Sequence, residues 1–160
     1  LGFEKVVINT AAVENMDIIK ESSAYFGSQS IVCSIDYKRG LFGAKCYIRD
    51  GNVKSSYTPE KLAQTAVENG AGELLLYSMA NDSMRCGYDI EMIRNVSKLV
   101  NVPVIACGGA KGITDLKQAL DAGAEAVAAG NMFVFFGERQ AVLINYPKES
   151  ELFSNGIYTE

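Results

Sequence analysis

Short apolar runs that alternate with amphipathic segments constrain the fold of this 160-residue chain more than any other feature. Each run has the length and composition typical of a buried parallel strand. The predicted strands are Lys5–Asn9, Ile31–Asp36, Glu73–Ser78, Val102–Cys107 and Ala126–Ala129. The predicted helices are Glu14–Phe26, a segment from Thr58 to Asn69, Asp89–Val100 and Thr114–Ala122, and Thr114 is expected to cap the last of them. This alternation predicts an α/β fold with a parallel sheet.

Two architectures with a parallel sheet are consistent with such a pattern. A doubly wound sheet would show G-x-G-x-x-G after its first strand, and this chain has no such motif. The predicted strands end in small or polar residues, as the strands of a barrel do where they feed the top-face loops. A closed barrel needs about 250 residues, so the chain supplies about five of eight β/α units. We therefore expect residues 1–160 to form the C-terminal portion of a TIM (β/α)8 barrel, with its N-terminal half missing and a β-hairpin inserted at 40–56.

Composition excludes several classes of function. A hydrophobic content of 48% and a net charge of -4 indicate a soluble globular domain, and the acidic balance argues against a nucleic-acid partner. No apolar stretch approaches the roughly 18 residues that span a bilayer, and residues 1–160 show no signal-peptide pattern, so we expect no membrane partner and a cytoplasmic location. The chain has no histidine, which excludes a Ser-His-Asp triad and a His-ligated metal. The four cysteines form no CxxC pair, so we expect neither a metal nor a cofactor.

Asp36 is the first candidate for chemistry, because it ends the apolar strand Ile31–Asp36 and is followed by Lys38 and Arg39. Side chains at the carboxyl ends of strands are where α/β folds place their active sites. An aspartate at a strand end also commonly caps the following turn. The segment alone leaves these two interpretations equal.

Glycines at two consecutive strand ends indicate phosphate binding. Gly108-Gly109 and Gly130-Asn131 follow the last two strands, where barrels commonly hold a phosphate. Glycines allow backbone N–H groups to approach an anion closely, although tight turns would also explain them. Asn9-Thr10, after the first strand, offers an amide and a hydroxyl for a second phosphate, but the pair is also a common lead into a helix. At the opposite edge, Lys5 and Glu73 each open a strand, where spacing alone favours a salt bridge or solvated strand ends.

Six blocks in order resemble the cyclase subunit of imidazole glycerol phosphate synthase, from roughly its fourth strand onward. They read VVINTAAVEN (6–15), FGSQSIV (26–32), SIDYKRG (34–40), GAGELLL (70–76), GYDIEMI (87–93) and VPVIACGGA (102–110). Within that family, three blocks resemble the paralogues encoded with surface-polysaccharide genes, the acetamidino-modification proteins. These blocks are FGSQSIVCSIDYKRGLFGAK, AVAAGNMFVF (126–135) and AVLINYP (141–147).

The resemblance implies a (βα)8 barrel that uses ammonia released by a glutaminase docked on its bottom face. Two aspartates would act as acid and base, one on the absent first strand and the other matching Asp36. Residues that match phosphate or substrate contacts of the family are Asn9, Thr10, Ser78, Asp82, Ser83, Gly108, Gly109, Gly130 and Asn131. Lys5 and Glu73 match a ring of charges that gates ammonia, and Glu4 and Gln29 match positions near the glutaminase.

The chain departs from the family in the loop after Ser78. The family usually reads Ser-Ile-Asp-Arg-Asp-Gly-Thr there, whereas Ala80 replaces an acid, and Ser83 and Met84 replace the glycine and threonine. Asn131 stands where the histidine-pathway enzyme typically has serine. These changes favour the surface-sugar branch, with a phosphorylated or nucleotide-linked sugar as substrate. The alternatives are the histidine-biosynthesis cyclase subunit and a non-catalytic phosphate-binding half-barrel. We expect the chain alone to be inactive, and to associate with the missing half or with itself.

Overall fold

The computed structural model describes residues 2–136 and 141–158. The strands are β1 (Val6–Ile8), β2 (Ile31–Gly40), β3 (Gly43–Ile48), β4 (Val53–Lys54), β5 (Glu73–Ser78), β6 (Val104–Cys107), β7 (Ala126–Ala128), β8 (Phe135–Phe136) and β9 (Ala141–Val142). The helices are α1 (Thr10–Glu14), α2 (Asp17–Phe26), α3 (Pro59–Glu68), α4 (Ile90–Ser97), α5 (Ile113–Asp121), α6 (Asn131–Val134) and α7 (Glu149–Ser154), with a 3-10 turn at Ser28–Ser30.

Five parallel strands form the centre of the structure in the order β1-β2-β5-β6-β7. The order in space is the order along the chain, so each helical crossover adds the next strand on the same side. A doubly wound sheet reverses its strand order, whereas a barrel does not. The prediction of an α/β fold built as part of a TIM barrel is confirmed.

The main core lies between the sheet and its helices. Register places Cys33 beside Leu74, and Leu74 beside Val104, and all three side chains are buried. Helices α3 and α4 cover this face with buried apolar side chains that include Leu62 and Ile93. Full burial of each such side chain stabilises the fold by about 1.5–3 kcal/mol. Packing in this core therefore fixes the register of the strands, and the same register determines which side chains are neighbours on the opposite face of the sheet.

Two predictions about helices are wrong. Glu14–Phe26 is not one helix, because α1 ends at Glu14 and Asn15 is extended, with its side-chain oxygen accepting the N–H of Asp17 at 3.0 Å. Asparagine competes in this way with the helical hydrogen bonds of the backbone. Thr114 was expected to cap the fourth helix, but α5 begins one residue earlier with Gly112 as its N-cap. The buried Asp115 carboxylate supplies the cap instead, accepting the N–H groups of Lys111 at 2.8 Å and Gly112 at 3.2 Å.

Strand β2 continues beyond Asp36, and its extension forms an antiparallel meander with β3 and β4. Val6–Ile8 pairs with the first half of one edge of β2, and β3 pairs with Tyr37–Gly40 farther along the same edge. The extra strands therefore start inside β2, earlier than position 40. Their first turn exposes Leu41 and Phe42 almost completely, at 98% and 101%. Asp36 lies at the point where parallel pairing ends and the meander begins.

No helix in the described part of the chain is long and apolar enough to cross a membrane.

A bidentate ion pair holds the meander of β2, β3 and β4 to helix α4. Arg39 donates to both carboxylate oxygens of Asp89, at 2.6 and 2.8 Å, and the Tyr37 hydroxyl donates to the same carboxylate at 3.1 Å. Asp89 also caps α4 by accepting the N–H of Met92 at 3.1 Å. Burial would raise the pKa of Asp89, but the hydrogen bonds from Arg39 and Met92 prevail and lower it.

Replacing Asp89 by Asn should therefore lower the free energy of unfolding at pH 7 by about 1–2 kcal/mol, because the cap is kept and the charge is lost. A depressed pKa stabilises the fold above the unfolded value of about 3.9, and that contribution is lost as the pH falls through the folded value. The difference between variant and parent should shrink in urea titrations as the pH is lowered below about 4. Asp121→Asn, in an exposed pair with Lys117, is the control and should change little. A constant difference at all pH values would contradict this role.

Candidate active site

The face of the sheet opposite the helices carries a row of reactive side chains at its carboxyl edge. Register pairs Asp36 with Tyr77, Tyr77 with Cys107 and Cys107 with Ala128. Paired residues of parallel strands point to the same side and are about 4.8 Å apart. A carboxylate, a phenol and a thiol therefore lie next to one another. Sequence analysis identified only Asp36, although the two-residue alternation of each strand also places Tyr77 and Cys107 on this face.

The environment of Asp36 suits acid–base chemistry. Burial raises the pKa of its carboxyl group, the hydroxyl of Ser34 lowers it, and the charge of Asp50 raises it further. Ser34 donates to the Asp36 carboxylate at 2.5 Å. Among the described residues, the carboxylate accepts from no backbone amide, so its contacts favour an acid–base group over a turn cap.

Tyr77 and Asp82 form the second contact of the row. The Tyr77 hydroxyl donates to the Asp82 carboxylate at 2.8 Å. Burial, followed by this carboxylate, raises the pKa of Tyr77 to about 12, so the phenol stays protonated at neutral pH. Burial together with the charges of Asp82 and Asp36 also raises the pKa of Cys107, which keeps it a thiol. The row thus offers one titratable carboxylate beside two neutral donors.

The two glycines after β6 are required by close packing. Both have positive φ, +95° at Gly108 and +107° at Gly109. A Cβ on Gly108 would lie 2.5 Å from the carbonyl oxygen of Ser78, and one on Gly109 would overlap the carbonyl of Gly87. Gly109 also accepts the N–H of Gly87 at 2.9 Å. The loops after β5 and β6 are therefore packed tightly together at the predicted phosphate position.

Other predicted substrate residues lie in different settings. Ser78 is buried on the helix side of the sheet, in register with Tyr37, so its side chain does not face the row. Ser83 is exposed on the loop after β5 and adopts φ of +63°. Gly130 precedes α6 with φ of -111° and open space around it, and Asn131 is the first residue of that helix. The latter two follow β7 and so lie at the same carboxyl edge as the row.

Asn9 and Thr10 connect the first strand to this edge. Asn9 donates from its amide to the carbonyl of Ser34 at 3.0 Å. The Thr10 hydroxyl donates to the Asn9 side chain at 3.3 Å and accepts the N–H of Arg49 at 3.0 Å. Arg49 in turn pairs with Glu14 at 2.6 Å. The loop after β1 is thereby attached both to the strand of Asp36 and to the β3–β4 turn.

The predicted gate and partner residues gather at the opposite, amino edge. Lys5 and Glu73 form an ion pair of 2.6 Å that passes across β2, with side chains 50% and 13% exposed. Glu4 and Gln29 are exposed just before β1 and β2. The same edge presents exposed aromatic side chains, and these are Phe3, Tyr25 and Phe26.

No cluster of three His, Cys, Asp or Glu side chains suited to a metal occurs in the described ranges 2–136 and 141–158. The ion pair of Arg39 with Asp89 was not predicted from the sequence. Asp89 is the first residue of the predicted helix Asp89–Val100, and no local signal indicates a partner 50 residues away.

Comparison with known proteins identifies one family whose model matches most of the chain. A family model described as "Histidine biosynthesis protein" matches residues 1–139. A Leptospira interrogans protein named "Putative imidazole glycerol phosphate synthase subunit HisF" is 39% identical over 153 residues, which are 94% of this chain and 60% of that protein. A Pseudomonas aeruginosa protein named "Putative imidazole glycerol phosphate synthase subunit hisF2" is 42% identical over 154 residues, covering 95% and 61%.

A Sulfolobus acidocaldarius protein named "Imidazole glycerol phosphate synthase subunit HisF" is 47% identical over 129 residues, which are 81% of this chain and 52% of that protein. The chain therefore spans about three fifths of the length of the first two relatives. Because the family model covers most of its residues and the strand order is that of a barrel, the chain belongs to the histidine biosynthesis protein family.

Proposed function

We propose that this chain forms the carboxyl-terminal part of a cyclase of the imidazole glycerol phosphate synthase type, which uses ammonia from a glutaminase partner. The observation that carries the proposal is the position of Asp36, a half-buried carboxylate with raised pKa at the carboxyl edge of a barrel sheet. Relatives named as subunits of this synthase support the reaction class.

The chemistry of the class explains the demand for such a carboxylate. When ammonia adds to a carbonyl carbon, nitrogen must lose protons and the oxygen must gain them before it leaves as water. A carboxyl group whose pKa is raised by burial can accept and return a proton near neutral pH. The neutral phenol of Tyr77 would donate a hydrogen bond beside it. The second carboxylate that the family resemblance implies belongs to a strand outside this chain.

The path of ammonia would run from the amino edge to this row. Lys5 and Glu73 would control its entry, and their ion pair of 2.6 Å at the amino edge supports this role. Glu4, Gln29 and the exposed aromatic side chains at this edge would contact the glutaminase. Exposed aromatic groups beside charged residues are typical of a protein–protein interface.

For the substrate, we propose a sugar of surface-polysaccharide synthesis that carries a phosphate or a nucleotide. The altered loop of Ala80, Ser83 and Met84 supports this choice, and so does Asn131 after β7. The second candidate is the bis-phosphorylated ribonucleotide of histidine biosynthesis, favoured by the 47% identity to the Sulfolobus acidocaldarius subunit.

Turnover tests the proposal directly. We expect no ammonia-dependent turnover by the 160-residue chain alone, because the second carboxylate is absent. Turnover should appear when the leading β/α units of the Pseudomonas aeruginosa relative are fused before residue 1, assayed with an acetamido nucleotide sugar and ammonia. Turnover of the ribonucleotide instead would support the histidine-pathway candidate. A folded fusion that binds phosphate but turns over neither substrate would leave the non-catalytic half-barrel as the function.

A further inference from the structure

A cavity of about 280 Å³ opens beside the predicted phosphate loops and is lined by two cationic side chains, Arg85 and Lys111. We infer that this cavity is a second anion-binding subsite, which takes a diphosphate group of the substrate. The inference rests on the proposed function, because it assigns the cavity to the substrate of the same site.

The cavity continues outward from the predicted phosphate residues. Arg85 lies two residues after Ser83 in the loop that follows β5, and Lys111 lies two residues after Gly109 in the loop that follows β6. Met132 lies one residue after Asn131. Each of the three loops at the carboxyl edge therefore contributes one residue to the phosphate position and another to the cavity. A ligand group bound there would be the direct neighbour of a phosphate held by the loops.

The two cations are held in different ways. Arg85 is part-buried, has φ of +51°, and donates from Nη1 to the carbonyl of Phe135 at 3.2 Å. This bond orients the guanidinium and leaves further N–H groups for an anion, since arginine carries five donors. Lys111 has an exposed side chain on a backbone held by the Asp115 carboxylate. An oriented guanidinium beside an exposed ammonium is a combination suited to phosphate oxygens.

The charge balance of the lining favours an anion. Glu151 is the only carboxylate among the described residues that line the cavity, and it accepts the backbone N–H of Lys148 at 2.8 Å. Two cations against one carboxylate leave a net positive charge. A volume of 280 Å³ equals about nine times the liquid volume of a water molecule, which accommodates the nine heavy atoms of a diphosphate.

Several segments around the cavity belong to, or directly follow, the parts of the chain that favour the surface-sugar branch. Arg85 directly follows the altered loop that ends at Met84. Met132 and Phe135 belong to the block AVAAGNMFVF, and Asn145 and Pro147 to the block AVLINYP. Segments distant in sequence thus meet around one positively charged space, which points to a substrate group that distinguishes this branch.

Isothermal titration of the 160-residue chain with inorganic pyrophosphate and with inorganic phosphate tests the subsite. In the double variant Arg85→Gln/Lys111→Gln, we expect pyrophosphate affinity to fall by about tenfold or more, and phosphate affinity to change by less than about threefold. Lys98→Gln is the matched control, since Lys98 lies at the far end of α4 and should alter neither affinity. Lys111→Gln alone changes an exposed side chain, so it reports on the subsite even where the double variant fails to fold.

Unchanged pyrophosphate affinity in the folded double variant, or no pyrophosphate binding by the parent chain, would overturn the inference. An equal loss of phosphate and pyrophosphate affinity would also overturn it, because the two cations would then belong to a single phosphate site. Turnover of the fusion protein is a separate measurement. Its failure would remove the proposed reaction, while the selective loss of pyrophosphate would still locate the subsite.

Discussion

Replacing Asp36 by Asn in the fusion protein is expected to lower ammonia-dependent turnover by about 100-fold or more, the usual contribution of a positioned acid–base group. Asparagine keeps the shape of the side chain and a hydrogen bond to Ser34 but cannot exchange a proton. Binding of inorganic phosphate should stay within about tenfold of the parent, about 1.4 kcal/mol, because the loops after β6 and β7 are untouched. Steady-state turnover and isothermal titration on the same preparation measure the two effects.

Asp50→Asn is the matched control for this variant. Asp50 lies in the exposed β3–β4 turn with φ of +56°, which asparagine tolerates, and it acts on Asp36 only through its charge. Its removal should lower the raised pKa of Asp36 and change turnover by less than about threefold, since exposed charges are screened. Unchanged turnover in Asp36→Asn would remove Asp36 from the reaction, and an equal loss in both variants would show a general effect of the β2–β4 region.

The pH dependence of stability distinguishes a role of Asp36 in catalysis from a role in folding. A carboxyl group with raised folded pKa holds its proton more tightly in the folded state, so its contribution to stability is present below the unfolded value of about 3.9 and is lost as the pH rises through the folded value. Once ionised, Asp36 therefore costs stability, and the Asn variant should be as stable as the parent or more so. A loss of turnover with no loss of stability would place the effect of Asp36 in the chemistry.

The sequence contains enough information to predict the parallel strands, because buried runs such as Glu73–Ser78 and Val104–Cys107 are short, apolar and bounded by glycine or polar residues. It could not predict the break at Asn15, where one side-chain hydrogen bond outweighs the helical periodicity of the flanking residues. The antiparallel pairing of Tyr37–Gly40 was also not predicted. The local alternation of apolar and polar residues does not show that β2 extends beyond its parallel pairing with β5.

The candidate site could likewise be predicted only in part from the sequence. Asp36 could be found because the end of an apolar run is a local feature of the sequence, whereas its row with Tyr77 and Cys107 depends on the register of three separated strands. The pairing of Arg39 with Asp89 depends on where helix α4 packs against β2, and the cavity of Arg85 and Lys111 depends on where loops meet in space. These contacts follow from the packing of the helices, which a single sequence does not specify.

Gly109→Ala should destabilise the chain by about 3 kcal/mol or more and abolish phosphate binding. Its φ of +107° is unfavourable for any residue with a Cβ, and the added methyl would overlap the carbonyl of Gly87 and lie 2.9 Å from Cβ of Asn81. The loop after β5 would have to move, breaking the hydrogen bond from Gly87 to Gly109. Urea unfolding and phosphate titration measure the two losses.

Gly130→Ala is the informative comparison, because this glycine is also predicted to contact phosphate but has φ of -111° and no atom within 4 Å of an added Cβ. Its free energy of unfolding should change by less than about 0.5 kcal/mol, as for an unconstrained surface position. Phosphate affinity should nevertheless fall by about tenfold, since the methyl would occupy the space through which backbone N–H groups reach an anion. Unaltered phosphate affinity in Gly130→Ala would show that Gly130 is not part of the phosphate site. A free energy of unfolding equal to that of the parent in Gly109→Ala would contradict the tight packing of the two loops. A stable Gly130 variant that binds phosphate weakly, beside an unstable Gly109 variant, would show that one glycine is needed for the ligand and the other for the loop that holds it.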